Sequence, residues 1–98
     1  MILEMVRLTI NQGAEPAFEA AVDEARAVFA RARGFRELAL YRVIEQPGRY
    51  MMLVEWETLE DHTEHFRGST LFAAWRALVG PYFAAPPEVV HGDPVAPA

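Results

Sequence analysis

The chain contains no cysteine and no lysine. Without thiols, disulfides, thiolate metal sites and cysteine nucleophiles are excluded, and the composition suits a reducing cytoplasm. Without lysine, all nine cations are arginines, outnumbered by 14 carboxylates. A formal charge of −5 leaves no clustered basic surface for phosphate, so nucleic acid is not an expected partner. No apolar run approaches the roughly 20 residues of a membrane span, and no basic segment followed by an apolar stretch opens the chain; neither a transmembrane helix nor a signal peptide is expected. Repeats, linkers and low-complexity segments are missing as well. What is present is 98 residues, 52% hydrophobic, enough for one domain over 1–98 with a single modest core.

Ile2 to Ile10 is apolar and β-branched and ends at Asn11-Gln12-Gly13, which predicts a strand and a turn. A helix follows from Pro16, with Phe18, Val22, Ala25, Phe29 and Ala32 forming one apolar stripe and Gly34 as its left-handed stop. Arg31 and Arg33 then fall where they complement the helix dipole. Phe35 to Glu45 and Arg49 to Glu57 read as strands joined through Gln46-Pro47-Gly48. In the second strand Tyr50, Met52, Val54 and Trp56 point one way, while Met51 and Leu53 point the other. A sheet apolar on both faces must be covered on both. Helices cover one face; a second copy of the chain covers the other most simply, so the pattern predicts a homodimer.

Thr58-Leu59-Glu60-Asp61 has the form of a capping box and opens a helix reaching about Phe66. Ser69 caps another helix, with Leu71, Phe72, Trp75, Leu78 and Val79 on its apolar face, ending at Gly80-Pro81. Pro86-Pro87 delivers a last strand, Glu88 to His91, followed by an extended tail over 92–98. The order βαββαβ predicts a ferredoxin-like α+β fold with an antiparallel sheet.

The run Val54-Glu55-Trp56-Glu57-Thr58-Leu59-Glu60-Asp61-His62, with His65, Phe66, Ser69, Phe72 and Trp75 after it, resembles the antibiotic biosynthesis monooxygenase family of the dimeric α+β barrel superfamily. The resemblance covers nearly the whole chain. It implies two protomers packed sheet to sheet, each keeping a pocket between its own sheet and helices. It also implies a chemistry drawn from cofactor-free oxygenation of aromatic polyketides, quinol oxidation or haem degradation. The haem-degrading branch carries an Asn, a Trp and a ligating His where this chain has Val6, Phe66 and Arg76, so haem is not an expected cofactor.

Leu59, His62, Thr63 and Phe66 share one face of the predicted helix, which turns His62 inward and leaves His65 at its flank. An inward polar group needs a partner or a cavity, because burying it unpaired costs roughly 1–3 kcal/mol. His62 has two readings: a proton acceptor from a phenol or quinol, or a structural histidine bonded to backbone or to Glu55. Phe66, Phe72 and Trp75 are either ordinary core or the walls of a flat cavity for planar aromatic ligands, with His65, Tyr41, Tyr50, Met52 and Trp56 as further candidates for its lining, although Trp56, at the end of a strand, itself reads as structural packing. Arg76 either orients an anionic substrate group or solvates the helix. The spacing of His62 and His65 lacks a third ligand, since the carboxylates nearby read as outward, so no metal site is expected. The expected function is a cofactor-independent monooxygenase of a small aromatic, phenolic or quinol-like substrate, with His62 as base. Its rivals are a non-catalytic small-ligand-binding or stress-related dimeric domain and a purely structural dimerisation module.

Overall fold

A computed structural model describes residues 1–96 of the chain. Strand β1 (Ile2–Thr9), helix α1 (Glu15–Phe29), strands β2 (Phe35–Arg42) and β3 (Arg49–Trp56), a π-helical segment (Asp61–Phe66), helix α2 (Thr70–Val79), a 3-10 turn (Gly80–Tyr82) and strand β4 (Glu88–Gly92) follow in that order. The sheet runs β2-β3-β1-β4 with every pairing antiparallel. This is the ferredoxin-like α+β arrangement. No helix among the described residues is long and apolar enough to cross a membrane. Of the tail expected to be extended over 92–98, residues 97–98 lie outside the described residues.

Alternation along the strands builds the core. Val6, Leu8 and Ile10 from the β1 side and Tyr50, Met52, Val54 and Trp56 from β3 are buried under the helices. The full α1 stripe, Phe18, Val22, Ala25, Phe29 and Ala32, is buried against them. Each large side chain so buried contributes about 1.5–3 kcal/mol relative to exposure. Phe29 is the hub, with its ring centroid 4.9 Å from Phe66 and 5.0 Å from Trp75.

Helix α1 ends at Phe29, earlier than the stripe suggests. The chain then turns, and Arg33 pairs with buried Asp61 at 3.5 Å instead of meeting a helix end. Gly34 has φ +77, and a β-carbon there would come within 2.0 Å of the Asp61 carboxylate. The conformation and the space both require glycine. Asp61 in turn accepts from the Thr58 backbone N–H at 3.2 Å while Thr58 Oγ1 accepts from the Asp61 N–H, so the capping box forms. It opens a π-helical segment, however, and not a plain α-helix. The wider turn keeps His62 and Phe66 buried but leaves Leu59 39% exposed.

Candidate active site

The chemistry-bearing side chains gather where β1, β3 and β4 meet the π-helical segment. Alternation turns Glu4 inward with Val6 and Leu8, and the strand register sets it opposite Val54 on β3 and opposite His91 on β4. Residues directly opposite in neighbouring strands share a face, so Glu4 and His91 both lie on the helix-covered side. His62 comes from above. Its backbone carbonyl accepts from the Arg67 N–H at 3.1 Å, a bond to the fifth residue on that defines the widened turn. Such turns are frequent at functional sites.

Glu4 is 5% exposed and His62 2%. Trp56 Nε1–H donates to Glu4 Oε1 at 2.9 Å. The other carboxyl oxygen, Oε2, lies 3.3 Å from His62 Nε2, and His62 Nδ1 lies 2.8 Å from His91 Nε2. The His62 ring stacks on the Trp56 indole, with centroids 5.4 Å apart and planes at 24°. Both nitrogens of His62 are therefore occupied, one by a carboxyl and one by a second imidazole. The three groups form a row and do not surround a common point; among the described residues no cluster of three His, Cys, Asp or Glu is arranged to hold a metal ion.

Burial pushes the Glu4 carboxyl up to about 7, against the opposing pull of the Trp56 hydrogen bond and the charge of Arg67. Burial pushes the His62 imidazole down to about 4, and the charges of Arg67 and His91 act in the same direction. His91 is lowered as well, first by burial and then by Arg67. The carboxyl thus keeps its proton up to neutrality while the imidazole refuses one. Between pH values of about 4 and about 7, Glu4 and His62 therefore face each other as a neutral pair, not an ion pair.

Glu4 and His62 open onto a cavity of about 280 Å3. Val6, Leu8 and Met52 line it from the sheet, and Phe66, Phe72, Trp75 and Phe83 line it from the helical side. Arg67 and Arg76, both exposed, complete its lining, and the Arg76 guanidinium stands 5.3 Å from the centre of the Phe83 ring. Among the described residues neither arginine is within salt-bridge distance of a carboxylate. The volume lies at the small end of ligand pockets and fits a one- or two-ring molecule.

Of the residues singled out in the sequence, the structure brings His62, Phe66, Phe72, Trp75, Arg76 and Met52 to this cavity. Val6, the first of the three positions that differ from the haem-degrading branch, lines it too. Tyr41 and His65 do not reach it. Tyr41 is 56% exposed and sits opposite Met51 on the bare face of the sheet, because a bulge between Phe35 and Glu37 shifts the alternation of β2. His65 is exposed on the outside of the π-helical segment. Tyr50 also turns elsewhere, its hydroxyl donating to Glu19 Oε2 at 2.6 Å. Trp56 packs beneath the cavity as the clamp on Glu4 and His62. The structural reading of His62 named Glu55; the carboxyl it meets is Glu4, which does not point outward as the carboxylates near His62 were read to do. Glu4 and His91 were missed as members of the site. Glu4 was in reach of sequence reasoning, since it is in phase with Val6, Leu8 and Ile10.

The chain matches the antibiotic biosynthesis monooxygenase family over residues 1–78. It is 40% identical over 91 residues to the uncharacterised protein YczJ of Bacillus subtilis, covering 93% of this chain and 96% of that one. A Bordetella bronchiseptica protein, provisionally named an antibiotic biosynthesis monooxygenase, superposes with a TM-score of 0.95 at 46% identity, covering 97% of each chain. SnoaB of Streptomyces nogalater, a cofactor-independent oxygenase solved as a mutant, shares the fold with a TM-score of 0.81 at 19% identity over 98% of this chain and 94% of that one. With most of its length matched, this chain belongs to the antibiotic biosynthesis monooxygenase family.

Proposed function

We propose that the protein is a cofactor-independent monooxygenase of a small aromatic, phenolic or quinol-like substrate. The observation that carries this reading is a buried carboxyl with its pKa raised to about 7, facing an aromatic-walled cavity. A general base poised near the working pH is what phenol deprotonation needs. The phenol proton passes to the Glu4–His62 pair, and the resulting phenolate gives one electron to O2. The radical pair recombines through a new C–O bond, and the Glu4–His62 pair returns the proton to the distal peroxo oxygen. Loss of that oxygen as water, with the hydrogen of the same ring carbon, leaves the other oxygen as a ring carbonyl. Arg76 orients the anion, the aromatic residues hold the ring plane, and the apolar walls limit water. No cofactor enters the scheme. The fold of SnoaB supports it only as a scaffold that accommodates such chemistry in another protein. The absence of cysteine accords with a cytoplasmic setting.

A non-catalytic ligand-binding domain is the second reading, favoured by one observation: both nitrogens of His62 already have partners. Oxygen uptake with a panel of quinols separates the two. Stoichiometric consumption by the purified protein, free of added metal, is expected. Saturable binding of the same quinols without oxygen uptake would instead establish the second reading.

The working unit of this reading is a homodimer. On the face opposite the helices Val90, Met5, Leu53 and Ala39 stand in one row across all four strands, with Met51 and Tyr41 in the next. No element among the described residues covers them, and an apolar patch of this extent is unusual on a soluble monomer. Sedimentation at micromolar concentration is expected to give twice the chain mass, and Leu53→Glu to shift it toward one.

A further inference from the structure

The geometry points to a proton relay between the cavity and the edge of the sheet: Glu4 exchanges a proton with the ligand in the cavity, His62 passes protons across the core, and His91 exchanges them with solvent. The inference rests on the reading of this cavity as a site of ligand deprotonation, and it reassigns the group that meets the ligand. His62 was the sequence candidate for the base. Yet Nε2 faces Glu4 at 3.3 Å and Nδ1 faces His91 at 2.8 Å, so a neutral imidazole has no position left for a ligand proton. A carboxylate offers about four lone-pair sites. Glu4 uses one toward Trp56 and one toward His62, and it retains capacity on the cavity side.

His91 differs from the other two. It does not line the cavity; it lies half-buried on β4, the edge strand, directly across from Glu4. The row therefore begins at the cavity and ends where the sheet ends. The middle member is held in place by its stack on Trp56 and by the widened turn that carries it. The charged groups facing the row are Arg67, after the π-helical segment, and Arg76, on α2 across the cavity. Arg67 opposes an imidazolium at either histidine.

Transfer along the row requires no imidazolium. The Glu4 O–H bond breaks as an N–H bond forms at His62 Nε2. In the same step His62 Nδ1–H breaks as His91 Nε2–H forms, and His91 Nδ1–H goes to water. Each imidazole gives one proton and takes one, changing tautomer but not charge. The carboxylate left behind accepts the phenol proton and later gives it to the peroxo oxygen. The row then runs in reverse, with water protonating His91 Nδ1, His91 Nε2–H passing to His62 Nδ1 and His62 Nε2–H to Glu4, which restores both tautomers. Only Glu4 changes charge, which agrees with its raised pKa and the lowered values of both histidines.

The test is a titration of the 15N-histidine-labelled wild-type protein, without substrate, followed through the ring nitrogens between about pH 5 and 8. The expected result is that His62 moves from Nδ1–H to Nε2–H with a midpoint near 7 and that His91 changes tautomer with the same midpoint. In Glu4→Gln this common step is expected to vanish, with the fold intact by circular dichroism. His91→Gln is expected to lower kcat for quinol oxidation without changing KM and to enlarge the solvent deuterium isotope effect. Histidines fixed in one tautomer throughout the range, or titrating alike with and without Glu4, would overturn the relay. Tautomers that switch in step in a protein that oxidises no quinol would support the relay while ending the monooxygenase reading.

Discussion

Glu4 and Glu19 each accept a hydrogen bond from an aromatic residue of β3, Glu4 from Trp56 at 2.9 Å and Glu19 from Tyr50 at 2.6 Å. The two aromatics lie on the same face of that strand, near its opposite ends. Glu19 stands at the surface of α1 with the Arg42 guanidinium 2.7 Å away. Its carboxyl is held below the ordinary value, first by Tyr50 and then by Arg42. Tyr50 responds in the other direction, raised by burial and by the carboxylate it serves. Glu4 has a similar aromatic donor but no cation in contact and only 5% exposure, and burial raises it to about 7. An aromatic donor alone does not decide what a carboxylate does. A cation and solvent make Glu19 a permanent charge tying the β2–β3 hairpin to α1. Burial without a contacting cation makes Glu4 a group that changes state near neutral pH.

The comparison is broken most severely by removing the carboxylates one at a time. Glu4→Gln is expected to lower quinol turnover by roughly 100-fold or more, the usual scale for losing a positioned base, while Glu19→Gln leaves turnover near wild type. Glu19→Gln shows instead in the melting temperature, through a loss of about 1–2 kcal/mol of charge-assisted hydrogen bonding. Oxygen uptake and thermal melts on the same two proteins check both halves.

The histidines offer a parallel pair. His62→Ala is expected to cost roughly 100-fold in turnover and about 1–3 kcal/mol in stability, since it leaves Glu4 and His91 without their shared partner. His65→Ala, on the exposed side of the same segment, is expected to change neither appreciably. Equal activity of both variants on an authenticated substrate would make His62 a packing residue.

A smaller effect lies in the pH dependence of stability. Glu4 binds its proton more tightly folded than unfolded, so from about 4.5 to about 7 the folded chain carries the extra proton and stability falls as pH rises. His62 binds its proton less tightly folded, so from about 4 to 6.5 the unfolded chain carries the extra proton and stability rises with pH. His91, lowered too, adds to the rising limb. Where the windows overlap, Glu4 and His62 oppose each other and flatten the wild-type profile. Urea unfolding across this range is expected to show a steeper rise in Glu4→Gln and a net fall toward about 7 in His62→Gln.

The fold was largely legible because its signals are local. The α1 stripe, the alternation of β3, the capping box at Thr58 and the left-handed glycine at position 34 each act through near neighbours in sequence. The site was legible only in part, because it depends on register. Nothing near Glu4 or His91 in sequence announces that β1 and β4 will set them opposite one another. The π turn was hidden because its hydrogen bonds reach one residue further than α-helical ones, a shift that leaves His62 and Phe66 inward but turns Leu59 out. Tyr41 was misplaced for a related reason: the single extra residue of the bulge at Phe35/Glu37 changes which β2 residues face the core.

The most direct measurement is the 13C carboxyl titration of Glu4 and Glu19 in one wild-type sample. The expected result is a Glu4 midpoint at about 7 and a Glu19 midpoint below the usual 4.5. A Glu4 midpoint at or below 4.5 would contradict the account, since the cavity would then hold a permanent carboxylate and no group poised to exchange a proton near neutral pH.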